Sequence, residues 1–280
     1  DCRDLALVEG SQPVPVEGVV TGIWSGKDST VWAAGLRDDR VNGNVFVASY
    51  DDVLDGIYRD DGFPWPLIID GAFPSSTVSP SGSIGQVKVT GCVADGWAGL
   101  QSDADEQVWV YGDRGLLAVR DFGGTSWSVD PSDDLAAALG LAKSAFDVVG
   151  GYVAPDCSTS HWFVRTVNTT TRVVGLEWVV LAPDLVRGKI RLVTRQAIPG
   201  VQIGATGSVN VETLRQMLGI GQFGLDGDTG TLMAVGWTGN YATNPTATTG
   251  LVLRMKAPSA GCYGAHQVCD TGSLMVFNGI

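Results

Sequence analysis

Two aspartates stand two apart in LDGDTGT (Leu225 to Thr231): Asp226 and Asp228, each beside a glycine. Carboxylate oxygens alternating along a tight loop are the raw material of a calcium site, which needs about six to eight oxygens. No closing glutamate follows at the EF-hand spacing, so Ca2+ at Asp226 and Asp228 competes with a plain solvated turn. Asp103, Asp105 and Glu106 form a similar polar turn. Cys262-x3-His266-x2-Cys269 offers three zinc ligands, but a fourth is not adjacent. An oxidised pair uses the same sulfurs, and a Cys262–Cys269 disulfide across this short loop is the preferred reading. No other cofactor is expected. GIGQFG (Gly219 to Gly224) falls between β elements, without the strand–turn–helix context that a dinucleotide loop needs.

Catalytic sets are equally thin. The only histidines are His161 and His266, and no GxSxG stands near a strand-to-helix turn. Asp28, Asp103, Asp156 and Asp226 recur at equivalent turns. A glycosidase needs two carboxylates converging on one mouth, whereas repeated turn chemistry alone gives the same recurrence. No catalytic residue is assigned. Among nine tryptophans, Trp32, Trp109 and Trp162 fall at equivalent strand sites, which predicts core packing. Trp24, Trp65, Trp97 and Trp237 are freer, and an indole with an apolar body and a polar tip suits a groove for a sugar or a protein.

The elements that must position these residues repeat. A polar turn followed by an apolar strand occurs five times: Ser25 to Gly35, Gln101 to Gly112, Ala154 to Thr166, Leu225 to Trp237 and Cys269 to Gly279. Such recurrence marks a radial or stacked β architecture. The first unit reads GVVTGIW, STVWAAG, GNVFVASYD and then WPLIIDG. The second reads VTGCVADGWAGL, QVWVYGDRG, LLAVRDFGG and TSWSVDP. The third reads FDVVGGYVAP, SHWFVRTVN, VVGLEWVVLAP and KIRLVTRQA. The fourth reads LGIGQFGLDG, TLMAVGW and GLVLRMKAP. Four strands per unit is the size of a propeller blade. The fifth copy has only about two strands, AHQVCD and SLMVFNGI. The expectation is therefore an all-β chain, a single β-propeller domain over 1–280 with five four-stranded blades, in which residues 1–18 complete the C-terminal blade. A β-sandwich or two β domains is the alternative. Two stretches break the β pattern. Asp130 to Phe146 reads as a helix with a Ser/Asp cap, and Ser208 to Gly221 reads as a second, capped by Asn210 and stopped at Gly219.

IWSGKDSTVWAAG and GWAGLQSDADEQVWVYGDRGLLAVRDFGGTSWSV resemble the W-G-S-x-x-D-V-W-A-V-G repeats of secreted, myxobacterial-type bacterial propeller proteins. The likeness is best over Gly96 to Val129 and poor in the third and fourth units. It implies a propeller outside the cytoplasm and carries no catalytic residue. DFGGTSW (Asp121 to Trp127) is similar to the Asp box of sialidase-like propellers. Val119 stands where that box has Ser, and Ser126 is extra. The resemblance implies a hairpin turn on the outer rim.

Composition narrows the partners. Of 280 residues, 44% are hydrophobic, so a full core is possible without staples, and 38 glycines fit many tight turns. A net charge of −12 repels phosphate backbones, which argues against nucleic acid. No apolar run is long enough for a transmembrane segment. Asp1 in place of Met reads as a processed or trimmed start. Five cysteines (Cys2, Cys92, Cys157, Cys262 and Cys269) suggest disulfides, and Cys2 could tie to Cys92 or Cys157. Disulfides favour the periplasm, the cell surface or the outside. Asn168-Thr169-Thr170 matches an N-glycosylation acceptor. The functional expectation is a non-catalytic extracytoplasmic binding or assembly module. It would be a complex subunit or adhesin-like, taking a protein or glycan partner through the insertions Gly71 to Gly85 and Gly239 to Thr249. An extracytoplasmic glycoside hydrolase or lyase with carboxylates at the propeller mouth is the alternative.

Overall fold

A computed structural model describes residues 18–26, 31–37, 45–51, 57–60, 86–93, 106–120, 127–128, 130–154, 157–184, 189–204, 211–226, 231–239, 249–256 and 274–278. Their strands form four antiparallel sheets of four strands each, and within every sheet the spatial order is the chain order. The first sheet holds β1 (Gly18–Ser25), β2 (Val31–Arg37), β3 (Val45–Asp51) and β4 (Ile57–Asp60). The second holds β5 (Val87–Val93), β6 (Glu106–Gly112), β7 (Leu117–Arg120) and β8 (Trp127–Ser128). The third holds β9 (Phe146–Val153), β10 (Ser160–Asn168), β11 (Val173–Asp184) and β12 (Lys189–Gly204). The fourth holds β13 (Leu218–Asp226), β14 (Thr231–Thr238), β15 (Thr249–Lys256) and β16 (Leu274–Asn278).

The first four repeats thus each supply the second strand of a sheet. The last does not open a fifth unit among the described residues. Its strand β16 pairs with β15, from Leu251↔Asn278 to Met255↔Leu274, and completes the fourth sheet. The fourth strand of the first sheet is Ile57–Asp60, while WPLIIDG lies outside the described residues, as do residues 1–17 and their expected pairing.

The chain divides into two compact units: residues 1–133 with Pro155–Cys157, and Asp134–Ala154 with Ser158–Ile280. In the first unit, sheets one and two share a core of Trp32, Ala34, Val47, Val87, Val110 and Ala118, among others. β5 shows why it forms: its apolar residues alternate inward, as half-buried strands require. In the second unit, Phe163, Leu176, Trp178 and Val180 of the third sheet meet Ile220, Ala234 and Leu253 of the fourth. β10 is buried along nearly its whole length, with Ser160, His161 and Arg165 buried beside its apolar residues.

Trp32, Trp109 and Trp162 are all buried, as their recurrence predicted. Each indole finds an acceptor: Glu106 Oε2 at 3.0 Å, Gln107 Oε1 at 2.9 Å and Ser160 Oγ at 2.8 Å. Trp162 lies across Gly151 on the neighbouring strand, where any Cβ would run into the indole ring. Gly151→Ala will therefore cost about 1–3 kcal/mol of stability by overpacking. An unchanged denaturation midpoint would contradict this contact.

The helices follow their caps. α1 (Asp130–Leu139) starts with Pro131 in its first turn and is held at its first amide by Ser128 Oγ at 3.3 Å. Gly140, at φ +67°, ends it, with Gly140 N bonded to Ala137 O and Leu141 N to Ala136 O. This is the Schellman closure that favours glycine. The expected continuation to Phe146 becomes a 3₁₀ turn, Lys143–Ala145, before β9. α2 (Val211–Gln216) is shorter than expected, and Gly219 lies inside β13 instead of stopping the helix.

One disulfide is present among the described residues, Cys92–Cys157, with Cα atoms 5.5 Å apart. The pairing that the sequence left open thus joins Cys92 and Cys157 to each other. Cys262 and Cys269 lie outside the described residues.

Candidate functional site

Among the described residues, the fourth sheet has one face in the core and one partly exposed. Ala234 of β14 and Leu251 and Leu253 of β15 point into the core. Strand alternation therefore sends Met233, Val235 and Trp237, with Val252 and Arg254, to the other face. Met233 is 47% exposed and Val235 44%. Register builds three rows across the two strands: Met233 opposite Arg254, Val235 opposite Val252 and Trp237 opposite Gly250. A Cβ at Gly250 would meet open space. Trp237 is held from the other side. Its ring lies over Gly219, where a Cβ would collide with it, and its Nε1 donates to Gln216 O at 3.1 Å. The result is an apolar stripe along β14, ending in a fixed, half-buried indole. Arg254 of β15 brings a positive charge to it.

Of the residues singled out in the sequence, Trp237 is therefore placed on an open face. Trp65, Trp97 and Asp228 lie outside the described residues, and Asp226 is the last residue of β13. Glu106, expected in a polar turn, is the acceptor of the Trp32 indole, with Trp127 edge-on to that ring at 6.3 Å and the Arg120 guanidinium 4.9 Å from its centroid. Among the described residues no group of three or more His, Cys, Asp or Glu side chains gathers as a metal site.

Two buried polar sets were not foreseen. Asp147 of β9 is fully buried between Arg165 of β10 and Arg215 of α2, both also buried. Arg165 Nε meets Asp147 Oδ2 at 2.8 Å and Arg215 pairs with Oδ1. Arg165 Nη1 also donates to Arg215 O at 2.6 Å and Leu218 O at 2.8 Å. Arg215 reaches Ser144 O. The network pins α2 and the start of β13 to the third sheet. Its signal in the sequence is a lone arginine inside an apolar strand, SHWFVRTVN. The second set surrounds His161. Its ring stacks on Trp178 at 5.7 Å and 18° and tilts toward Tyr152 at 6.0 Å. Burial alone lowers its pKa from 6.5 to about 4.

Charge is also matched locally. Residues 185–211 hold four cations and no acidic residue. α1, acidic at its start, answers them: Asp134 Oδ2 accepts from Ile190 N at 3.1 Å, and Arg195 Nη1 donates to Leu139 O at 2.9 Å. Arg195 also forms a two-point pair with Glu177, a bond that raises the Arg195 pKa.

The fold and the partly exposed sheet define an all-β chain of blade-sized antiparallel sheets. No protein-family model matches it, and no curated protein matches it. Among solved structures it is similar to the β-propeller domain of Nup133 from Vanderwaltozyma polyspora, with 10% identity and a TM-score of 0.47, covering 90% of this chain and 65% of that one. It is also similar to the β-propeller domain of Cps50 (Swd1) from Myceliophteria thermophila, with 11% identity and a TM-score of 0.42, covering 92% and 57%. A tail fibre of Staphylococcus aureus phage P68 matches at 8% identity and a TM-score of 0.20, covering 91% and 63%. The chain thus spans less than two thirds of the length of each. With every score below 0.5, the fold rests on the sheets themselves.

Proposed function

We propose that this chain is a binding or assembly module built from propeller blades, and that the outer face of the fourth sheet takes a protein partner. The observation that carries this reading is the stripe Met233, Val235 and Trp237. At the equivalent strand position the first three sheets place a buried tryptophan, and the fourth places a methionine that is 47% exposed. A contiguous apolar strip rimmed by polar residues is the usual mark of a protein contact. Methionine adapts its shape to such surfaces. Aliphatic side chains offer no hydrogen bonds to sugar hydroxyls, so a protein fits the strip better than a glycan. The Cys92–Cys157 disulfide supports an oxidising compartment outside the cytoplasm. No helix among the described residues is long and apolar enough to cross a membrane.

Affinity capture from the native source, with Met233→Asp/Val235→Asp as the paired control, tests this. Wild type should retain a defined protein that the double variant loses more than tenfold, at an unchanged melting temperature. Equal capture by both, or turnover of a glycan by the purified chain, would sink the reading.

A further inference from the structure

We propose that His161 makes the packing of the third sheet on the fourth acid-labile: its protonation opens this joint while the second sheet stays folded. His161 and Phe163 are two apart on β10 with unbroken pairing to β11, so they share a face, and Phe163 lies in the core between the two sheets. His161 is only 3% exposed. Its Nε2 is 3.5 Å from Thr159 Oγ1, and its Nδ1 has no hydrogen-bond partner among the described residues. Trp178 Nε1 and Gln196 Oε1, on the same face, are also buried without one.

A buried imidazole is tolerated while neutral, and an imidazolium there needs an anion. Among the described side chains, the charged ones on this face are committed elsewhere or are cations themselves. Asp147 of β9 is held by Arg165 and by Arg215 of α2. Arg191, which register places on this face of β12, is itself a cation. Tyr152 of β9 brings an uncharged phenol. The described residues that β13, β14 and β15 bring to the joint are the apolar Leu218, Ile220, Ala234, Leu251 and Leu253. The Trp178 face attracts a cation, but returns less than the water that burial removes.

The sign follows from linkage. The closed joint holds His161 neutral down to about pH 4, whereas an opened joint exposes it to water at 6.5. Stability of the joint is therefore full above pH 6.5 and falls as pH drops toward 4. The opening equilibrium shifts by about 30-fold at pH 5 and about 160-fold at pH 4, approaching about 300-fold well below pH 4.

Hydrogen exchange of the full chain at pH 7 and pH 5, corrected for intrinsic rates, tests this. Amides of β9–β11 and β13–β15 should lose about 30-fold protection at pH 5 while β5–β7 keep theirs. His161→Phe should remove the difference. Equal protection at the two pH values, a matching loss in His161→Phe, or simultaneous loss in all sheets would overturn it. If that variant does not fold, NMR titration of the wild type decides: an imidazole titrating below pH 5 supports the proposal, and two imidazoles titrating near 6.5 overturn it.

Discussion

Asp147→Ala should cost about 3–5 kcal/mol of stability. The carboxylate is fully buried and both of its oxygens are in use, one by Arg165 and one by Arg215. Removing it strands two buried guanidiniums. A buried pair adds little net stability when made, because desolvation consumes most of the attraction, yet breaking it leaves a charge that nothing compensates. Urea denaturation reads the loss. A triple replacement, Asp147→Ala with Arg165→Met and Arg215→Leu, should recover much of it by removing the orphaned charges too. A single-variant loss below about 1 kcal/mol, within the range of an ordinary hydrogen bond, would show that the three do not act as a buried unit.

Opening the Cys92–Cys157 bond ranks with it. The bond joins residues 65 apart in sequence. A loop of that length restrains the unfolded chain by about 4 kcal/mol on the chain-entropy estimate. Cys92→Ala with Cys157→Ala should lower the unfolding free energy by roughly that amount, and mild reduction of the wild type should do the same. Peptide mapping without reduction should return the two cysteines in one linked fragment. The same map tests the Cys262–Cys269 bond, which would leave Cys2 as the free thiol. Alkylation of Cys92 or Cys157 in the unreduced protein would refute the pairing.

The strand order of three of the four sheets was legible because it is local. Each apolar run in the third unit, from FDVVGGYVAP to KIRLVTRQA, became one strand, and hairpin turns such as Asn168 to Val173 set the register. The recurring tryptophan was legible for the same reason: one position on a repeated strand has one environment. The expected fifth blade arose from a turn-plus-strand phrase, which reads alike whether a strand is second or fourth in its sheet. The Asp147–Arg165–Arg215 network was not legible, because its members come from three elements and only packing brings them together. The Cys92–Cys157 pairing stayed hidden because five cysteines allow many pairings and spacing does not choose among them. On the exposed face of the fourth sheet, Trp237 stood out in the sequence as a tryptophan away from the repeated strand site. The exposure of Met233 and Val235 did not, since an apolar strand reads the same whether its second face is covered or bare.

The sequential order of strands within each sheet also sets a timetable. β10 and β11 are joined by four turn residues and pair over nine positions, and a hairpin of this kind closes in about 1–10 μs. Arg165 meets Arg215, 50 positions further along the chain, which is a slower event because loop closure precedes any reward. The sheets can therefore zip early, and the ionic clasp on α2 locks late. A contact absent from the transition state governs how fast the native chain comes apart, not how fast it forms. A clasp that forms this late would act as a brake on unfolding and leave the rate of folding little changed.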